Sequence, residues 1–193
     1  MGFSSQTVDE LLATVAAETS APGGGSVAAV VTAFAAALVA MGARFSREQW
    51  EDADGVVAQA ESLRTKVLPL ADEDAKAYES VLEALRLPPD IGPDRRDEAL
   101  GTALSLAADV PLAIAEAALD VATLAAELVE RGNPNLRGDA VTAALLAEAA
   151  VRATANLVEI NLGTREGDAR LERAREFVEA SRRISRRVLE SAP

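Results

Sequence analysis

Val27-Ala-Ala-Val-Val-Thr-Ala-Phe-Ala-Ala-Ala-Leu-Val-Ala-Met-Gly-Ala43 passes seventeen residues without a charge. It holds no proline, and its single glycine, Gly42, stands next to its end. An Ala- and Val-rich run with no earlier breaker predicts one helix, roughly Gly25 to Phe45. A helix that is apolar all round is buried, in a bundle core or where two subunits meet. The run is just short of a membrane span, and Ala barely favours lipid. The expectation is a soluble, cytoplasmic protein.

Immediately upstream, Ser20-Ala-Pro-Gly-Gly-Gly-Ser26 leads into that helix. Three consecutive glycines do not belong in a helix interior, where each costs about 1 kcal/mol relative to Ala. A glycine loop entering a helix N-terminus presents unpaired backbone N–H groups at the positive end of the dipole. That suits a carboxylate, a phosphate or an electron-rich carbonyl. The alternative is a plain loop in which glycine serves only the turn and Ser26 caps the helix.

The remainder of the chain fits an all-α protein. Its 193 residues are 49% hydrophobic but only 3% aromatic, so the core is built from Ala, Leu and Val. Small side chains let helices pack closely, whereas sheets favour β-branched and aromatic residues, and no stretch alternates cleanly with period two. The length suits one domain spanning residues 1–193. A net charge of −12 makes nucleic acid and anionic membranes poor partners. Cys is absent, which excludes disulfides, thiolate metal sites and cysteine nucleophiles. His is absent too, so proton transfer falls to Asp, Glu, Lys, Tyr or bound water. The N-terminus has no basic region before an apolar run and does not read as a signal peptide.

Thr7 and Glu10 form a capping box for a helix from about Val8 to Glu18. A long helical pattern from Trp50 to Leu87 contains Pro69, which should kink or divide it. After a Pro-rich loop, Asp94 can cap a helix from Arg95 to Arg131 that contains Pro111. Gly132-Asn-Pro-Asn135 ends it. Further helices span about Asp139–Leu162 and Asp168–Glu190, separated by a turn at Gly163–Gly167. About six helices result, in an antiparallel up-and-down bundle.

Polar residues in unusual places mark where chemistry could sit. Asp139 occupies an N-cap position, and Asn133 and Asn135 flank a turn proline. Asn156 and Asn161 lie on an otherwise apolar helix, where buried amides need a ligand or another helix as partner. Asp74 and Tyr78 share a helix face, while Asp72 and Glu73 point elsewhere. Arg165, Arg170, Arg173 and Arg175, and again Arg182, Arg183, Arg186 and Arg187, mostly read as surface ion pairs with nearby glutamates.

Taken in order, these segments resemble the cyclodeaminase/methenyltetrahydrofolate cyclohydrolase family, which includes the C-terminal domain of formiminotransferase-cyclodeaminase. The resemblance rests on Ser20–Ala29, Asp74-Ala-Lys-Ala-Tyr78, Leu85-Arg-Leu-Pro88, Ala107-Ala-Asp-Val-Pro-Leu112, Gly132–Asn135, Asp139-Ala140 and Asn156–Leu162. The chain departs from the family where Gly138 replaces Ser, where Pro89 replaces Lys, and across Ser46-Arg-Glu-Gln-Trp50.

The resemblance implies a homodimer and hydrolysis of 5,10-methenyltetrahydrofolate to 10-formyltetrahydrofolate. Cyclodeamination of 5-formiminotetrahydrofolate stands second, because no formiminotransferase domain is attached, and a non-catalytic folate-binding or scaffold helical dimer third. It implies no metal and no redox cofactor, with a tetrahydrofolate derivative as substrate. Pro22, Gly23, Gly24, Gly25 and Ser26 are expected to grip a pterin carbonyl or glutamate carboxylate. Asn133 and Asn135, then Asn156 and Asn161, are expected at the pterin edge. Asp139 is the first candidate to move the proton or orient water, and Asp74 the reserve. The helix dipole would stabilise an ionised Asp139, which favours orienting water or pairing with the cationic substrate.

Overall fold

A computed structural model describes residues 2–163 and 167–191, and every regular element among them is helical. The α-helices are α1 (Val8–Ala16), α2 (Gly24–Arg44), α3 (Ala53–Val67), α4 (Leu70–Leu85), α5 (Pro93–Ala107), α6 (Asp109–Arg131), α7 (Arg137–Leu162) and α8 (Ala169–Glu190). Single 3₁₀ turns lie at Phe3–Ser5, Pro89–Ile91 and Pro134–Leu136. Arg165 and most of the turn before α8 lie outside the described residues.

All six helical stretches read from the sequence are present, and two of them are pairs. Pro69 is the N-cap of α4 and Pro111 is the third residue of α6. The first amides of a helix have no acceptor within it, so a residue lacking N–H is tolerated there and divides the longer run in front of itself.

The Thr7–Glu10 capping box forms as expected: Thr7 N–H donates to Glu10 Oε2 at 2.8 Å, and Glu10 N–H to Thr7 Oγ1 at 3.3 Å. Three other caps differ. The N-cap of α2 is Gly23, and Ser26 is the third helical residue. Gly92, not Asp94, caps α5, because Pro93 takes the first helical position. Asp139 lies within the first turn of α7, since the Pro134–Leu136 turn winds directly into the helix and leaves Leu136 at the N-cap.

The core is alanine-rich. Ala35, Ala36, Val39, Ala40 and Ala43 of α2 meet Ala122, Ala125 and Ala126 of α6 and Ala143, Ala144 and Ala147 of α7. Side chains this short let α2 pack against α3, α6 and α7 together. Both α2 and the stretch Pro134–Leu162 are long and apolar enough to cross a membrane, but most of α2 is buried inside the bundle.

Two peripheral features depart from the pattern. Although Val8, Leu11, Leu12 and Val15 share one face of α1, none of its residues is buried. Arg170, by contrast, is more than a surface ion pair. Its guanidinium reaches Asp168 Oδ2 and Asp109 Oδ1, each at 2.7 Å, and donates to Ser105 O at 2.7 Å, tying α8 to the α5–α6 junction. The hydrogen bonds to Asp168, then Asp109, hold its pKa above the usual arginine value.

Candidate active site

At the start of α2 a cleft of about 310 Å³ opens. Ser20, Ala21 and Gly23–Gly25 form one side, and Asp74, Ala75 and Tyr78 of α4 form another. Ala107 and Pro111 from the α5–α6 junction and Leu157, Ile160 and Asn161 of α7 close it. Four stretches far apart in sequence thus share one hollow.

Asp74 is seated against the first turn of α2. Its Oδ2 accepts the Ser26 N–H at 2.9 Å and lies 3.1 Å from Ser26 Oγ, whose hydroxyl is 2.8 Å from Ala71 O. A carboxylate from α4 therefore does for α2 what a local capping side chain would do. A Cβ on Gly25 would come within 2.0 Å of Asp74 Oδ1, so this glycine is what lets the carboxylate approach. Gly23 and Gly24 have nothing within 4 Å of the same position and face open space. The amides of Gly24 and Gly25 find no acceptor among the described residues. Burial raises the pKa of Asp74 above the ordinary carboxylate value, and the hydrogen bonds from Ser26 pull the other way without cancelling it.

The remaining residues singled out by sequence divide sharply. Asn161 lines the cleft and donates Nδ2 to Ala107 O at 2.8 Å, the interhelical bond weighed from sequence. Ser26 is buried behind the glycines. Pro22 is buried on the other side of the strap, in an apolar groove under α1. Asn156 is exposed, contrary to the expectation of a buried amide, and lines a separate groove of about 470 Å³ with Arg152, Arg175 and Arg182.

Asn133, Asn135 and Asp139 are not at the cleft. Asn133 N–H donates to Ser46 Oγ at 2.8 Å and its Nδ2 to Phe45 O at 3.3 Å, while its Oδ1 accepts from Asn135 N–H at 3.0 Å. These bonds hold it at the C-terminal end of α2, with the glycine loop at the other end. Asp139 and Asn161 stand near opposite ends of α7, which at 1.5 Å per residue separates them by about 33 Å along the axis.

Tyr78 is the cleft residue that sequence reasoning placed on the right face without assigning it to a site. It is 46% exposed, and its spacing of four from Asp74 was the available signal. Ala107 and Pro111 lie in one of the quoted segments, but nothing local shows that they wall a cleft. Among the described residues no three His, Cys, Asp or Glu side chains gather as a metal site requires.

The profile of the formiminotransferase-cyclodeaminase family matches residues 7–180. The methenyltetrahydrofolate cyclohydrolase of Methylorubrum extorquens is 33% identical over 81% of this chain and 79% of its own length. The formimidoyltransferase-cyclodeaminase of Sus scrofa is 36% identical over 80% of this chain, which spans only 30% of the pig protein. The crystal structure of formiminotetrahydrofolate cyclodeaminase from Thermotoga maritima matches with a TM-score of 0.83 at 29% identity, covering 95% of this chain and 94% of that one. A match over most of the sequence and a shared helical fold carry the assignment: the chain belongs to the formiminotransferase-cyclodeaminase family.

Proposed function

We propose that this chain is an enzyme of folate one-carbon metabolism that hydrolyses 5,10-methenyltetrahydrofolate to 10-formyltetrahydrofolate. The observation that carries the reading is the placing of Asp74, the one carboxylate lining the cleft among the described residues, beside free helix N-terminal amides. The substrate carbon between N5 and N10 is an amidinium carbon and already electrophilic. The protein has to hold the ring system, position a water and move one proton. Asp74 takes the proton of the attacking water, and its burial makes it a stronger base than a solvated carboxylate. The tetrahedral adduct then collapses by breaking its bond to N5, which takes up a proton, and a proton leaves to solvent as the formyl C=O forms. The Gly24 and Gly25 amides bind a pterin carbonyl or a glutamate carboxylate. Asn161 meets the pterin edge and Tyr78 offers a ring face. No cofactor takes part.

Cyclodeamination of 5-formiminotetrahydrofolate is the second reading, supported by the similarity to the Thermotoga maritima cyclodeaminase. There N10 attacks the formimino carbon and ammonia leaves, protonated by the same carboxyl group. Loss of methenyl absorbance without ammonia release from the formimino substrate supports hydrolysis alone. Ammonia release with retention of the methenyl product supports the second reading, and neither activity overturns both.

As the assembly we propose a cytoplasmic homodimer of antiparallel, up-and-down bundles, without nucleic-acid or membrane partners. The uncovered apolar surface of α1 and α2 and the net charge of −12 support it. Light scattering at micromolar concentration should give twice the chain mass of 20.1 kDa.

A further inference from the structure

The Ser26 hydroxyl has one hydrogen and two acceptors within reach. Ala71 O lies 2.8 Å from its oxygen and Asp74 Oδ2 lies 3.1 Å away. A serine hydroxyl donates one bond at a time, so only one of the two is donated in any one state. Which one forms depends on Asp74. An ionised carboxylate is the stronger acceptor, and the hydroxyl turns to Oδ2. A carboxyl that holds a proton accepts weakly, and when the proton is on Oδ2 it is itself a donor. The hydroxyl then turns to Ala71 O, which leaves its oxygen free to accept. A helix carbonyl has a second lone pair for such a donor.

We propose that the Ser26 hydroxyl is a two-position switch that follows the proton on Asp74, and that it lets this one carboxyl act as base and then as acid within a turnover. The proposal rests on the hydrolytic reading of Asp74 given above and adds a positioning residue to it. In the first step a lone pair of water forms the C–O bond to the methenyl carbon, and the water's proton passes to Asp74. The adduct is neutral, and Ser26 swings from Oδ2 to Ala71 O. In the second step the bond from that carbon to N5 breaks and N5 takes the proton from Asp74. The adduct's hydroxyl proton goes to solvent as the C=O forms, and Ser26 swings back. One water is consumed and one proton released, as conversion of a cation into a neutral formyl group requires.

A fixed donor would not serve both steps, because it would hold the carboxylate ionised and oppose uptake of the proton. With Ala71 O at 2.8 Å the hydroxyl exchanges one partner for another and is never left without one, although Ser26 is only 2% exposed. The carboxyl itself stays in place. Ser26 N–H remains on Oδ2 at 2.9 Å in both states, and the missing Cβ of Gly25 lets the carboxyl come this close to α2. Among the described residues lining the cleft, Tyr78 is the only other titratable group, and the strap, α2, the α5–α6 junction and α7 contribute none. On α4 itself Glu73 and Lys76 are exposed, and Asp72 Oδ1 accepts the Phe3 N–H at 2.8 Å.

A backbone carbonyl carbon resonance moves downfield when its oxygen accepts a hydrogen bond, so Ala71 reports the switch. In the ligand-free wild-type protein the Ala71 carbonyl resonance should move downfield as pH falls, with the same midpoint as the Asp74 carboxyl carbon. In Ser26→Ala it should be flat. The Asp74 midpoint should rise there by about one pH unit, because the carboxylate has lost a donor that held it down. The acid limb of kcat/KM should move up with it. A wild-type Ala71 carbonyl that does not follow Asp74 would overturn the switch. So would a Ser26→Ala variant that melts lower and leaves the Asp74 titration unmoved, the mark of a purely structural serine. Both titrations are read without substrate, so failure of Asp74 as the base is seen separately, as a shifted Asp74 midpoint with an unshifted acid limb.

Discussion

Two demands pull on Asp74. As the group that caps α2 it gains from being charged, and as a base in a partly closed cleft it gains from holding its proton more tightly. Asp74→Asn separates them, because an amide oxygen still accepts the Ser26 N–H. Turnover should fall about 100-fold or more while the thermal midpoint holds or rises. The acid limb of kcat/KM should lie above the ordinary carboxylate range, with activity lost as pH drops through it, and should vanish in the variant. Stability moves the other way. A carboxyl whose folded pKa is raised binds its proton more tightly in the fold than in the unfolded chain. Its contribution to stability therefore grows as pH falls through the folded value towards the unfolded one, and pH-dependent melting of Asp74→Asn should lack that gain. Asp139→Asn should keep turnover within about twofold, since Asp139 is a long way from the cleft of its own chain. Strong loss there would mean that a second chain delivers it.

The N-terminus of α2 carries its own prediction, because its glycines are not equivalent. Gly24→Val should fold normally, as its Cβ meets nothing, and should raise KM tenfold or more by closing the approach to the free amides. Gly25→Ala should lower the thermal midpoint, since its methyl group collides with the seated carboxylate. Sequence made α2 plain: composition, the missing breaker and the glycine start all agree. What it could not disclose was the cap. Ser26 looks like one, but the acceptor comes from Asp74, 48 residues later, and no local pattern carries that. Periodicity tells which face of a helix a residue occupies and not which end of the bundle. Asn161 and Asp139 were for that reason grouped into one site, and the length of α7 keeps them apart. Asn156 failed on the face itself, since it opens onto the groove beside α8.

Across the whole molecule, α8 is held at its start by Arg170, whose bonds span to Ser105 and Asp109. Arg170→Gln should cost about 2 kcal/mol in denaturant unfolding, the usual loss for a charge-assisted, partly buried bond network. The helical bundle itself was legible as a whole, because a core of Ala, Leu and Val with few aromatics suits packed helices better than any layer built on a sheet. The cleft was legible only as separate words, since its walls come from residues near 20, 74, 107 and 160. That scatter has a thermodynamic consequence. A ligand touching all four stretches cannot bind any part of the chain that has come loose from the rest, so every partly opened state forfeits the whole of the binding free energy. At a hundredfold excess over its Kd a folate should therefore add about 2.7 kcal/mol to global unfolding. Amides in α2, α4 and α7 should slow their hydrogen exchange by one common factor, near a hundredfold, wherever they exchange through global opening. Protection confined to the glycine strap would mean that the ligand grips one wall alone.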